Sequence, residues 1–308
     1  MLFNKDNNGS VELQRLTGSF AAANDWSVIE TEVADAIRTV SGLVGAAVVE
    51  KADGLYQSGA EADPLVAAVR MPVAVLAVSR YSRNNLVSHD DSGSKVRVDD
   101  NEKMPWEWMI DRDERAQQDR WYRALDALYA YLDQTGLQEW KDSDAYRRMR
   151  RSIVRTIDEM EAVYPVDGSY YVYFLLQNLV IESQGKLRKM IGDAAWERIS
   201  GDAVAEADIP LLRVCQRWAV LTGVVTAVRR WSLEVFPLAI VRRFCPSYQG
   251  GRSRRAAARE EMDSYVGALE AQIADAREEM TDLLIDENCR AAHLFPKNDP
   301  ANKFFTAQ

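Results

Sequence analysis

The side chains best equipped for chemistry gather in one stretch, where His89, Asp90, Asp91, Ser92 and Gly93 are followed by Asp99 and Asp100. Oxygens of this kind can hold a hard divalent cation. Their spacing does not match a calcium loop, so a polar turn is the competing reading. Elsewhere the parts for catalysis are scarce. The chain has two histidines, His89 and His293, which leaves a histidine metal site or a serine–histidine triad short of components. No G-x-x-x-x-G-K, G-x-G-x-x-G, G-x-S-x-G or H-E-x-x-H pattern occurs. Cys215, Cys245 and Cys289 are odd in number and widely spaced, so neither a disulfide framework nor a zinc knuckle is legible. Cys215 lies inside an apolar run and is expected as a small buried hydrophobe. The expectation is a protein without enzymatic activity, metal or cofactor.

Charge is distributed more pointedly. Residues 86–114 carry nine acids against four bases, a balance of −5, while residues 233–259 carry six arginines against Glu234, a balance of +5. Opposite edges of this kind suit a head-to-tail contact between copies, which closes into a ring when the rotation allows. The candidate subunit-contact residues are Asp90, Asp91, Asp99 and Asp100 on the acidic side, with Arg242, Arg243, Arg252, Arg254 and Arg255 on the basic side. Two solvated loops are the plainer reading, and phosphate binding by the arginines up to Arg259 is a third. Trp106 and Trp108, at a helix start, and Phe304 and Phe305, near the end of the chain, are candidate partner-docking residues, although aromatics in such places also pack on their own domain. The net charge of −9 argues against general affinity for nucleic acid or an anionic membrane.

Two stretches must position these residues. Asp208 to Trp231 and Asp63 to Tyr81 each open with an aspartate close to a proline, a helix start, and then run apolar on almost every side to an arginine–aromatic pair. Helices of that composition are buried by their neighbours. Their separation of about 147 residues suggests one folding unit written twice, and Gly45 to Gly192 and Leu86 to Leu233 repeat the offset. The longest uncharged apolar run, Trp218 to Val228, is too short to cross a bilayer, and the first residues lack the apolar core of a signal peptide.

The chain therefore divides into an N-terminal arm (1–26), a first helical unit (27–140) with a ribbon at 86–98, a second helical unit (141–285) and a C-terminal tail (286–308). The first helix is expected from Ser27 by a capping-box pattern with Glu30, Pro72 should kink or split the first central helix, and Asp-Asp-Ser-Gly marks the hairpin turn. A short helix is expected at Trp106 and a longer one from Arg115 to Asp133, stopped by Gly136. In the second unit, one arginine-rich helix should run from Ser143 until Pro165 closes it. A long helix capped by Ser169 follows to Gly192, then the central helix, a second ribbon over Leu233 to Phe244 and a last helix from Arg254 to Leu284. The fold class is mainly α, with two tandem, related helical units.

The string Glu102 to Asp113, followed by Trp121 to Leu128, resembles an uncharacterised family encoded by phages and prophages of Bacteroides and its relatives. Ile153 to Glu159, running into Tyr164 to Ser169, is a second match. The resemblance implies a virion or virion-assembly protein encoded among head and neck genes. Each unit also looks like the small helical connectors that form a ring beneath the portal and join phage head to tail. On that likeness the chain is expected as a ring-forming homo-oligomer in the virion neck, assembled in the bacterial cytoplasm, with portal and tail proteins as partners. DNA would pass without sticking to a net negative subunit. A nucleic-acid-binding protein using Arg242 to Arg259, or a bacterial adaptor outside the virion, are the alternatives.

Overall fold

The computed structural model describes residues 1–85, 88–90, 93–95, 106–230 and 259–291, with the backbone alone at 88–90, 93–95, 107, 108, 111 and 286–291. The chain is mainly α-helical, as its periodicity predicts. It forms two compact units, and their division is not a single cut near residue 140. Of the described residues, Met1–Arg151 and Pro165–Leu175 belong to unit one, and Ser152–Tyr164, 176–230 and 259–291 to unit two.

The segment expected as an arm is part of the core of unit one. Leu2, Phe3, Leu13 and Phe20 are buried, with Leu13 on α1 (Gly9–Thr17). Asn4 and Asn7, both at positive φ, turn the backbone so that anchors scattered through a polar sequence face one way. The helix start read at Ser27 falls later. Asp25 takes the Ser27 N–H at 2.8 Å and fixes a single 3-10 turn, and α2 (Glu30–Val44) follows, burying Val33, Ala36, Val40 and Val44. Gly45, at φ 97°, ends α2 and turns the chain directly into α3 (Ala46–Gln57).

The first central helix, α4 (Pro64–Asn84), opens as expected. The Asp63 side chain accepts the Leu65 N–H at 2.8 Å, and Pro64 needs no donor in the first turn. Its buried residues lie all round the helix, from Leu65 to Val78. Of the two outcomes expected at Pro72, a kink or a split, the split does not occur. Helix continues through Pro72 because the loss of one backbone bond is outweighed by burial of Val69, Val73 and Ala74 on either side. Strands β1 (Ser88–Asp90) and β2 (Gly93–Lys95) pair antiparallel with Asp90 opposite Gly93, the hairpin predicted from the turn residues. The two helices expected beyond it are one, α5 (Glu107–Thr135), stopped by Gly136 in the left-handed conformation. Short helices α6 (Gln138–Lys141) and α7 (Asp144–Arg150) follow, the latter capped by Ser143.

In unit two the arginine-rich helix is not one element. After α7 the backbone leaves the helix through Ser152 to Arg155, Thr156 is extended, and a capping box between Thr156 and Glu159 starts α8 (Ile157–Glu161). Helix α9 (Tyr170–Ile191) gives its first six residues to unit one and the rest to unit two. Gly192, at φ 84°, again turns straight into a helix, α10 (Asp193–Ser200). The second central helix, α11 (Ile209–Arg230), buries residues on every side from Leu211 to Val228. Gly223 lets it approach α9, since a Cβ there would lie 3.3 Å from Val180 Cγ2. Helix α12 (Arg259–Ala291) lies along α11 and buries Val266, Leu269, Ala276 and Met280. The second ribbon expected at Leu233 to Phe244 and most of the tail fall outside the described residues.

Two helices, Pro64–Asn84 and the run Glu206–Arg230, are long and apolar enough to cross a membrane by length and composition, each with mean hydropathy 1.3. The expectation from the sequence weighed only the uncharged run and so missed them. In this fold 56% and 72% of those windows are buried inside the protein, so both serve as core helices.

Gly45 is the position where the fold depends most visibly on a missing side chain. Its φ is strained for any L-residue, and a Cβ would stand 2.9 Å from Ser143 Cβ. Gly45→Ala is expected to cost about 1–3 kcal/mol. Gly54→Ala, at an exposed point of α3 with nothing within 4 Å, should stabilise by about 0.5–1 kcal/mol. Urea denaturation followed by circular dichroism compares the two.

Candidate functional site

The residues singled out from the sequence are only partly described. Asp90 lies on β1, where the backbone alone is described, and Trp108 lies likewise in α5. Asp91, Asp99, Asp100, Arg242, Arg243, Arg252, Arg254, Arg255, Phe304 and Phe305 lie outside the described residues. Trp106 is described. It flanks the start of α5 and is 70% exposed, with Met109 one turn on at 41%. Among the described residues no three His, Cys, Asp or Glu come close enough to share a metal ion.

The structure instead brings together polar groups that the sequence reading passed over. In unit one, Arg70 breaks the apolar surface of α4, and its Nη2 lies 2.9 Å from Glu12 Oε2. Tyr56 on α3 donates its hydroxyl to Glu12 Oε1 at 2.8 Å and accepts the Lys5 N–H at 3.0 Å. Asn4 donates its N–H to Glu12 as well, at 3.1 Å. The Arg70 guanidinium carbon is 4.7 Å from the ring centres of both Phe3 and Tyr56, close enough for cation–π attraction. Every strong group in this network except Arg70 Nε has a partner, and its effect is to clamp residues 3–12 onto α3 and α4. The signal was available, because a charge inside an otherwise apolar buried helix demands an opposite charge.

Unit two clamps a different segment in a related way. Gln184 on α9 accepts the Ile153 N–H at 2.6 Å, Gln216 on α11 donates to the Ile153 carbonyl at 2.8 Å, and Gln177 donates to the Val154 carbonyl at 2.6 Å. Arg155 reaches the carbonyls of Ser200 and Gly201 at 2.6 and 2.8 Å. Three buried glutamines and the Ser152 hydroxyl, which accepts the Val154 N–H at 3.0 Å, thus supply the hydrogen bonds that helix would have given Ile153 and Val154. This explains why a stretch with helical apolar spacing is not helical. Part of the segment Ile153 to Glu159 is therefore a packing element with a fixed backbone.

A third cluster lies where the first turns of α9 meet α5 within unit one. Tyr129 is 4.6 Å from Phe174 and 5.7 Å from Trp140 between ring centres, and Tyr122 is 4.6 Å from Tyr171. Asp126 accepts the Tyr171 N–H at 3.2 Å and the Ser169 hydroxyl at 3.3 Å, so it caps α9 from a neighbouring helix. Burial raises its pKa above the usual aspartate value, and these hydrogen bonds oppose the rise. A groove of about 210 Å³ near the start of the chain is lined by Leu2, Ile37, Ala46, Val49, Glu50 and Asp53, among others, without a histidine or thiol to do chemistry there.

Cys215 is buried, as expected, with its thiol 3.6 Å from Met280 Sδ. Comparison of the chain with protein-family models, with curated proteins and with solved structures finds no match.

Two expectations follow from these networks. Removing one partner of the buried pair, by Arg70→Leu or Glu12→Leu, should cost about 3–5 kcal/mol, and the double variant should lose clearly less than the sum, as a double-mutant cycle in urea would show. Burial pushes Tyr56, Tyr171 and Cys215 each up to about 12 and raises Tyr129 and Tyr164 as well. The folded state therefore holds protons that the unfolded chain releases from its ordinary values of 9.0 for the thiol and 10.0 for the phenols. Their contribution to stability is complete below pH 9 and is lost as pH rises towards 12. Melting temperatures measured across pH 7 to 12 should stay level and then fall.

Proposed function

We propose that this chain is a structural subunit of a phage head–tail connector. In this reading it forms a ring of copies in the virion neck, with portal on one side, tail on the other and DNA passing through. Its work is mechanical. Each unit is stiffened by a buried central helix and by clamps that fix its peripheral segments. The resemblance of Glu102 to Asp113 and of Ile153 to Ser169 to phage proteins supports the reading, as does the spending of the interior polar groups on internal joints.

One observation carries it. Trp106 stands 70% exposed at the start of a 29-residue helix whose distant end is anchored by buried Leu125, Leu128, Tyr129 and Leu132. A large aromatic held in water on a rigid base is the pattern of a docking anchor. The two units, each with a glycine-turned helix pair ahead of its central helix, are proposed as related repeats. One chain would then supply two positions of the ring.

Sedimentation and negative-stain electron microscopy of the purified protein, alone and with the portal encoded in the same genome, test the proposal. Rings are expected, and Trp106→Ala should leave the fold intact while weakening portal docking by about ten-fold or more. A protein that stays monomeric at high concentration and forms no ring with portal would overturn the reading.

A further inference from the structure

The outer face of α12 carries a run of exposed acids. The helix holds ten acids against three arginines, a balance of −7 in a chain of net −9. Its inner stripe, Val266, Leu269, Ala276 and Met280, is buried. Two flanking acids are tied to α11, Glu270 by Arg229 at 2.6 Å and Glu279 by Arg217 at 2.8 Å. On the opposite side, Glu260, Asp275, Glu278 and Asp282 are exposed and pair with no cation among the described residues. Asp275, Glu278 and Asp282 follow one another at three- and four-residue steps and repel along the helix. Between Glu260 and Asp275 the same side is exposed Ser264, Gly267, Ala268, Ala271 and Ala274, so short side chains leave room for close approach.

The complementary charge lies on unit one. Helix α7 ends in Arg147, Arg148, Met149 and Arg150, with Arg151 next. The four arginines are exposed, while Met149 is buried and pins the helix in place. Arg147 and Arg148 pair with no acid among the described residues. The start of α7 is fixed by the Ser143 cap, which contacts the Gly45 turn, so the patch is presented on a rigid support.

We propose that the outer face of α12 on one copy docks against the arginines at the end of α7 on a second copy. Such a contact joins two different surfaces and is therefore head-to-tail, the kind that closes into a ring. It rests on the assembly reading above and gives it a pair of surfaces. A nucleic acid fits the arginines less well, because they span little more than one helical turn and Tyr146 beside them is turned inward onto Trp140.

Charge reversal tests the contact. Glu278→Lys with Asp282→Lys, and separately Arg147→Glu with Arg148→Glu, should each weaken self-association about ten-fold or more in a sedimentation concentration series, with unchanged circular dichroism. The variant carrying all four changes should recover association to within about three-fold of the original chain, a rescue that damaged folding would not give. If rings persist with either reversal, this contact is wrong and the assembly reading stands. If the unaltered chain never associates, both fall. A shift in sedimentation that does not depend on concentration would place the pairing within one chain and overturn the proposal. So would a DNA gel shift abolished by the arginine reversals while association is untouched.

Discussion

A helix that is apolar on every side cannot face water, and α4 and α11 are both such helices. The cost of exposing them, roughly 1.5–3 kcal/mol for each large side chain, exceeds anything that surface charge could return. Everything else in each unit is arranged to cover that surface. Around α4 this falls to α1, α2, α3 and α5, and around α11 to α9, α10, α12 and the Ser152–Tyr164 segment. Gly45 and Gly192 turn the chain within one residue, so that α3 and α10 can lie back against helices that α2 and α9 have already approached.

The same burial explains why so few polar side chains inside the protein are free to react. Arg70 and Gln216 sit in the apolar surfaces of the two central helices, where an unpaired donor would cost several kcal/mol. Each is used to hold a segment of irregular backbone, through Glu12 in one case and directly at the Ile153 carbonyl in the other. Both segments also bury apolar residues, Leu2 and Phe3 in one and Ile153 and Val154 in the other. These polar groups therefore act as joints, which accords with a protein proposed to transmit force.

The central helices were legible in the sequence because aspartate, proline and an unbroken apolar run are local signals. The ribbon was legible for the same reason, since Asp-Asp-Ser-Gly dictates its turn. Gly192 marked the end of its helix, but α3 and α10 were missed, because a glycine at positive φ ends one helix without preventing the next from starting at the following residue. The break after α7 was invisible for a different reason. The stretch keeps helical apolar spacing, and the non-helical backbone of Ile153 and Val154 is satisfied by Gln177, Gln184 and Gln216, partners far away in the chain. The Glu12–Arg70 pair joins residues equally remote in sequence. Of the candidate site, Trp106 could be placed from its position at a helix start, whereas no local pattern marks the arginines of α7 as the partners of an acidic face.

The central helices bear on whether the units are one design used twice. With a single offset of 146, Pro64 matches Pro210 and Leu65 matches Leu211. The same offset matches Arg70 with Gln216, the two polar residues that grip a leading segment. It also matches Arg83, 3.4 Å from Glu114 on the following helix, with Arg229, 2.6 Å from Glu270 on the following helix. It matches Asn84, which bonds Glu32 on α2, with Arg230, which bonds Glu182 on α9. The need to cover an apolar helix can explain shared packing, but it does not dictate that polar contacts to the preceding and following helices recur at the same register. Recurrence of that kind supports the proposal of a repeated unit whose residues diverged while its joints stayed in place. On that view the start of the chain and the Ser152–Thr156 segment are counterparts, each clamped by the polar residue of its own central helix.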